Sequence, residues 1–264
     1  MGDIAVESSQ AGITTVWLDR ADSLNALTIE MMRELRAALA VLGNDKDCRV
    51  IVLAGRGRSF CAGLDLKAVT NADTGPGAIG RMALQETFAD AIPQIRRLPQ
   101  PVVAAVQGAA VGAGFALALA ADIRVAAPSA KFLIGAVRVG LTAGECGISY
   151  HLPKVIGAGR AFEVMLTGRP VGAEEALSSG LVSQIVPEVE LHRAAIAVAQ
   201  QIVENSPYSV KHTKQLMWAN LDAGSLERAV MLENHAQTVA MTTTDFAEAT
   251  QAFGEKRPPR FTGR

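Results

Sequence analysis

The residues of this 264-residue chain that could do chemistry fall into two glycine-rich stretches and one isolated carboxylate. The first stretch, Phe60-Cys61-Ala62-Gly63-Leu64-Asp65, lies downstream of the apolar run Val50-Ile51-Val52-Leu53. The second, Gln107-Gly108-Ala109-Ala110-Val111-Gly112-Ala113-Gly114, follows Val102-Val103-Ala104-Ala105-Val106. Small residues let a ligand come close to the backbone, and amide N–H groups where a helix begins favour negative charge. The same glycines also serve simply to turn a strand into a helix, and both uses stand open. The carboxylate is Glu145, within Leu141-Thr142-Ala143-Gly144-Glu145-Cys146-Gly147. It can exchange protons with a bound molecule, or it can sit in the first turn of the helix that follows, where the dipole favours a carboxylate.

Other polar residues offer less. Asp65 suits a helix cap or a structural pair. His151, His192, His212 and His235 are scattered, with no HExxH spacing and no nucleophile beside them, so they read as surface or packing residues. Cys48, Cys61 and Cys146 are odd in number and form no CxxC pair, which argues against a disulfide framework or a zinc site. They read as reduced thiols of a cytoplasmic protein. Trp17 and Trp218 read as core or interface residues. The 25 basic against 26 acidic side chains give a net charge of -1, without the basic excess of a nucleic-acid or acidic-membrane binder. No run reaches the roughly 18 apolar residues of a membrane span, and the N-terminus has no leader pattern.

The elements that must position these residues are legible from periodicity. Ile4-Ala5-Val6-Glu7 and Ile13-Thr14-Thr15-Val16-Trp17-Leu18 alternate as a hairpin does. Thr28 caps a helix whose Met32, Leu35, Leu39 and Leu42 recur at helical spacing and which stops near Gly43-Asn44-Asp45. The unbroken Val/Ile runs suit strands covered on both faces. A helix over Gly112 to Ala121 precedes a strand at Ile123-Arg124-Val125-Ala126, and another strand is expected over Leu181 to Val186. Thr70 to Gly80 reads as a surface loop able to act as a lid. From about Val189 the pattern is wholly helical, which sets an α/β core over residues 1-200 against a helical region over 201-264. The apolar faces of that tail suit an oligomer interface.

The two glycine-rich stretches, taken with Leu24-Asn25-Ala26-Leu27, Leu152-Pro153-Lys154-Val155-Ile156-Gly157, Leu166-Thr167-Gly168-Arg169 and Glu255-Lys256-Arg257-Pro258-Pro259-Arg260-Phe261, resemble in order the crotonase superfamily, the enoyl-CoA hydratase/isomerase group. The resemblance implies a crotonase-like spiral of repeated strand-strand-helix units with a helical C-terminal trimerisation region, giving a homotrimer or a hexamer. It implies an acyl-CoA substrate in fatty acid metabolism, with coenzyme A arriving as part of the thioester and no separate cofactor. By family position the amides of Leu64 and Ala113 form an oxyanion hole, in which one donor is worth about 2.7–4 kcal/mol of barrier. The carbonyl of Ala62 would hold the adenine amino group and Lys67 would lie near the phosphates. Phe253 and Lys256 would reach the nucleotide from a neighbouring subunit, unless they are an ordinary packed Phe and a solvated Lys.

The pattern departs from the family at the proton-transfer positions. Its efficient hydratases use two glutamates, and here the matching positions are Ala116 and Ala136. Glu145 lies about one residue past the place where the dienoyl-CoA isomerases and a dehalogenase of the family carry an aspartate. The expectation is therefore isomerase-type or divergent chemistry with Glu145 as acid/base. The alternative is a catalytically silent acyl-CoA-binding oligomer.

Overall fold

A computed structural model describes residues 2–9, 12–70 and 77–264. The chain opens with β1 (Ile4–Ser8) and β2 (Ile13–Leu18), paired antiparallel as the alternation predicts. Thr28 then caps α1 (Ile29–Asn44), its hydroxyl oxygen accepting from the Met31 N–H. Met31, Met32, Leu35, Leu39 and Leu42 all face inward. Burial of each such side chain contributes about 1.5–3 kcal/mol.

Next come β3 (Val50–Gly55), α2 (Leu66–Thr70), α3 (Gly77–Ala89), α4 (Ala91–Arg97) and β4 (Val102–Val106). Every residue of β3 and β4 is buried, as expected of strands covered on both faces. Then follow β5 (Ala109–Val111), α5 (Ala113–Ala120), β6 (Ile123–Ala126), β7 (Lys131–Leu133), α6 (Ile148–Ile156), α7 (Ala158–Thr167), β8 (Val171–Gly172), α8 (Ala173–Ser178) and β9 (Gln184–Ile185). The main sheet has the order β1-β2-β3-β4-β6-β9, parallel except at the first hairpin, and β5-β7-β8 form a second, smaller sheet.

Two expectations change. The strand foreseen over Leu181 to Val186 shrinks to β9, because the Val182 N–H still donates to Ala176 of the preceding helix and Leu181 and Val182 are buried in the core. Of the foreseen Thr70 to Gly80 loop, residues 71–76 lie outside the described residues. From Gly77 the chain is already the helix α3, which runs on to pack on α1 and α4.

The helical C-terminal part begins with α9 (Leu191–Val203), whose Leu191, Ala195 and Ala199 pack on the face of the main sheet. That helix belongs to the core and continues past residue 200. Beyond it, α10 (Pro207–Asn220), α11 (Leu226–Ala240) and α12 (Thr244–Glu255) turn few side chains inward: Lys214 on α10, none on α11, Asp245 and Ala252 on α12. No helix among the described residues is long and apolar enough to cross a membrane.

Candidate active site

The two glycine-rich stretches run beside each other. The Phe60 N–H donates to Gln107 (2.7 Å), the Cys61 N–H to Ala109 (2.8 Å), and the Val111 N–H back to Cys61 (2.9 Å). On the other flank the Leu27 N–H donates to Gly63 (2.7 Å), the Asp65 N–H to Leu27 (2.9 Å) and the Ala62 N–H to Leu24 (2.9 Å). The segments around Leu24, Gly63 and Ala110 are thus stitched into one layer. Glycine is required at several points of it. Gly63 has φ +85° and a β-carbon there would stand 2.7 Å from the Val111 carbonyl oxygen; one on Gly114 would stand 2.5 Å from that of Cys61. The turn carrying Leu64 is therefore held against the start of α5. Ala113 opens that helix, so its N–H has no intrahelical acceptor. Neither it nor the Leu64 N–H donates to any group among the described residues.

One residue that holds this layer, Asn25 of the Leu24-Asn25-Ala26-Leu27 motif, has a role that the motif does not reveal. Asn25 is fully buried with φ +56°. Its amide donates to the carbonyls of Arg56 (2.9 Å) and Ser59 (2.8 Å), and its Oδ1 accepts from the Arg20 N–H (2.8 Å). Asn tolerates the left-handed conformation better than most residues, and that was the available signal. Gln107 acts similarly, donating to Gly55 (2.7 Å) and Gly57 (3.0 Å).

Glu145 does not sit in the first turn of α6. That helix starts at Ile148, after Cys146 with φ +45° and Gly147 with φ +75°, so the chain reverses between the carboxylate and the helix. The Glu145 carboxylate turns instead toward α5: Oε1 is 3.1 Å from where a β-carbon on Gly112 would be. It is half-buried, no donor among the described residues reaches it, and burial raises its pKa above the ordinary carboxylate value.

The remaining candidates sort by geometry. Ala116 is fully buried in α5 and Ala136 is buried at the start of the 3₁₀ turn Ala136–Val139. Asp65 accepts from the Ala68 N–H and pairs with Arg20 at 3.3 Å, which together hold its carboxyl below the usual range and make it structural. Burial pushes the Cys61 and Cys146 thiols up to about 12. His151 is buried, and His192 shares a hydrogen bond with Thr15. The Trp218 indole donates to Asp122 and that of Trp17 to Glu7. Lys67 is exposed on α2, one short step past Ala62 and Leu64. Phe253, 88% exposed, and Lys256 lie at the end of α12, which is tied by Asp245 to Ser206 and to Thr262 and Gly263. The single chain does not bring them to the two junctions. An apolar cavity of about 560 Å³ also lies elsewhere, beside Pro101, Ile123, Met217 and Trp218.

Comparison with known proteins identifies the family. The family model described as enoyl-CoA hydratase/isomerase matches residues 8–264. The Mycobacterium tuberculosis protein named "Probable enoyl-CoA hydratase EchA12" is 43% identical over 98% of this chain and 92% of its own. The Escherichia coli 1,2-epoxyphenylacetyl-CoA isomerase is 33% identical over 100% of both. The crystal structure of an enoyl-CoA hydratase from Bacillus anthracis superposes with a TM-score of 0.93 at 33% identity, covering 99% of this chain and 100% of that one. With a family model spanning nearly its whole length and relatives matched end to end, this chain belongs to the enoyl-CoA hydratase/isomerase family.

Proposed function

We propose that the chain binds an enoyl-CoA thioester with its carbonyl oxygen between the amides of Leu64 and Ala113, and that Glu145 shuttles a proton between two carbons of the acyl group. The observation that carries this is the Glu145 carboxylate reaching the Gly112 turn, next to the unpaired Ala113 N–H. In such a step the carboxylate removes a proton from one carbon, the electron pair delocalises onto the thioester oxygen, and two N–H donors stabilise that charge. The same carboxyl group then returns the proton to the other carbon and ends ionised again. A half-buried carboxylate whose pKa is raised is a stronger base than an exposed one and is suited to this task. Ala116 and Ala136 hold no group that can activate water, which favours isomerisation over hydration. The full-length likeness to an isomerase is compatible with that choice.

Coenzyme A comes with the substrate, so the step needs no further cofactor. The carbonyl of Ala62 and Lys67 would meet the nucleotide, and Phe253 and Lys256 would do so from a second copy of the chain in a trimer or hexamer. The apolar side chains left exposed on the last helices, Met217, Leu221, Leu226, Met231 and Met241, support such an assembly. The tail then serves as the oligomerisation region of a cytoplasmic enzyme of fatty acid metabolism. A turnover screen of 2-enoyl-, 3-enoyl-, dienoyl- and 3-hydroxyacyl-CoA esters, run on wild type and Glu145→Gln, tests the proposal. Double-bond migration lost in Glu145→Gln is the expected result. Binding without turnover of any ester would make the chain a silent acyl-CoA binder.

A further inference from the structure

Two spaces flank the loop that carries Glu145, and they differ in chemistry. On the side of Thr142, Ala143 and Gly144 lies a cavity of about 480 Å³ closed by Phe162, Met165 and Leu166, which is mostly apolar and holds no charged side chain. On the other side, starting at Cys146 and Gly147, a cavity of about 430 Å³ lies between α4, which lines it with Ile92, Pro93 and Arg96, and α6, which lines it with Tyr150 and His151. Three nitrogens of Arg96 and His151 are buried with no hydrogen-bond partner among the described residues: Nε and Nη1 of Arg96 and Nδ1 of His151. His151 is only 5% exposed. A buried polar group without a partner is uncommon and calls for an explanation.

The charge around the cavity is positive. His151 feels Arg96, Arg124 and Lys154 against Asp222, and Arg96 also feels Asp122. Asp122 is itself paired with Lys214 at 2.9 Å, and Asp222 with Lys154. Asp90 lines the cavity too, but its carboxylate pairs with Arg36 at 3.2 Å. The Arg96 guanidinium, stacked over the Trp218 ring, keeps its charge at neutral pH because burial lowers its pKa only to about 10. His151 is held at about 4, chiefly by burial, and so stays neutral, with one ring nitrogen able to donate.

We propose that the cavity beside Cys146 takes a carboxylate, accepted by Arg96 and His151, and that this carboxylate is the far end of the acyl group whose thioester end lies near Glu145. This rests on the thioester function proposed above. The cavity adjoins the residue next to Glu145, and an acceptor-only group with negative charge suits the Arg96 guanidinium, the His151 imidazole and the local excess of cations. A free dicarboxylate has the same chemistry and is the other source.

Isothermal titration on the full chain separates the cases with three probes: a 2-enoyl-CoA ending in a carboxylate, the same chain ending in methyl, and free glutarate. Wild type is expected to bind the carboxylate-ended ester about tenfold more tightly or better, the size of one charge-assisted hydrogen bond. In Arg96→Gln that preference disappears while affinity for the methyl-ended ester is unchanged, and Arg96→Lys restores part of it. Because Arg96 stacks on Trp218, folding of each variant is checked by its near-ultraviolet circular dichroism. Should Arg96→Gln fail to fold, His151→Phe carries the same test. Glutarate binding that depends on Arg96, without discrimination between the esters, keeps the carboxylate site and assigns it to a free ligand. Equal affinity for the two esters together with no glutarate binding overturns the proposal, as does a preference that survives loss of Arg96 or His151. If neither ester binds, the thioester function falls and glutarate alone decides the site.

Discussion

The Oε1 atom of Glu145 and the α-carbon of Gly112 are close enough that a single methyl group on the glycine would stand 3.1 Å from the carboxylate. Gly112 has φ +50° and precedes the first residue of α5, so the same atom position governs the helix start and the carboxylate. Gly112→Ala therefore acts twice. The backbone strain of a non-glycine residue there costs on the order of 1–3 kcal/mol, and the new methyl pushes Glu145 away. A lower melting temperature and a turnover loss larger than that of Glu145→Asp are expected. Unchanged turnover would show that the carboxylate need not be near the Gly112 turn.

Asn25 holds three backbone groups that nothing else among the described residues satisfies in the same way. Asn25→Ala leaves the Arg56 and Ser59 carbonyls without their donor, at about 1–3 kcal/mol for buried groups, and puts a β-carbon residue other than Asn at φ +56°. Urea denaturation should show a fall in stability of that order. Asn25→Asp, which keeps the acceptor for the Arg20 N–H but loses both donors, should fall nearly as far.

The pH dependence of Glu145 has a definite sign. Its pKa in the folded chain is raised by burial, and the base must be ionised to act. The acid limb of kcat/KM should therefore rise with pH at values above those of an exposed glutamate, and be absent from any residual activity of Glu145→Gln. Stability runs the opposite way. The folded state holds the proton more tightly, so this group's favourable contribution is complete below the unfolded pKa and is lost as pH rises through the folded one. Glu145→Gln should then be relatively more stable at pH 8 than at pH 4, measured against wild type by thermal unfolding.

Cys61 and Cys146 lie close to the proposed site without being nucleophiles. With thiols pushed up to about 12, almost no thiolate exists at pH 8. Mass spectrometry after iodoacetamide treatment of the native chain should find both unmodified, and Cys61→Ala and Cys146→Ala should keep most turnover. Rapid alkylation of Cys146 would contradict its burial.

What was legible in the sequence and what was not follows the range of the interactions. Thr28 and the Met32-to-Leu42 spacing give α1, and the Val/Ile runs give β3 and β4, because capping and burial on both faces leave local patterns. The two glycine-rich junctions could be placed on turns for the same reason. The direction of the Glu145 side chain could not, since it depends on Cys146 and Gly147 both adopting positive φ, a conformation unusual for cysteine. Local helix signals instead suggested the first turn of α6. Asn25 was quoted within a motif, but its bonds run to Arg56 and Ser59, more than 30 residues away, and no periodicity reports such a link. The strand at Leu181 to Val186 was overextended because buried apolar residues next to a short strand look the same in sequence as the strand itself.

The last prediction separates the backbone from the side chain at Ala113. Ala113 is the first residue of α5, the one helical position where proline is readily accommodated, since the N–H it removes has no intrahelical acceptor. Ala113→Pro therefore deletes the proposed donor with little cost to the helix, whereas Ala113→Ser keeps the N–H and adds a side-chain oxygen of modest size. Loss of one such donor lowers kcat on the order of 10²–10³-fold. That loss is expected in Ala113→Pro and not in Ala113→Ser, with both melting near the wild-type temperature and both still binding the CoA nucleotide. Because the interaction strengthens as negative charge develops on the thioester oxygen, the loss should appear in kcat more than in KM. Equal turnover in the two variants would remove Ala113 from the oxyanion site, and the start of α5 would then be a packing junction held by Gly112 and Gly114.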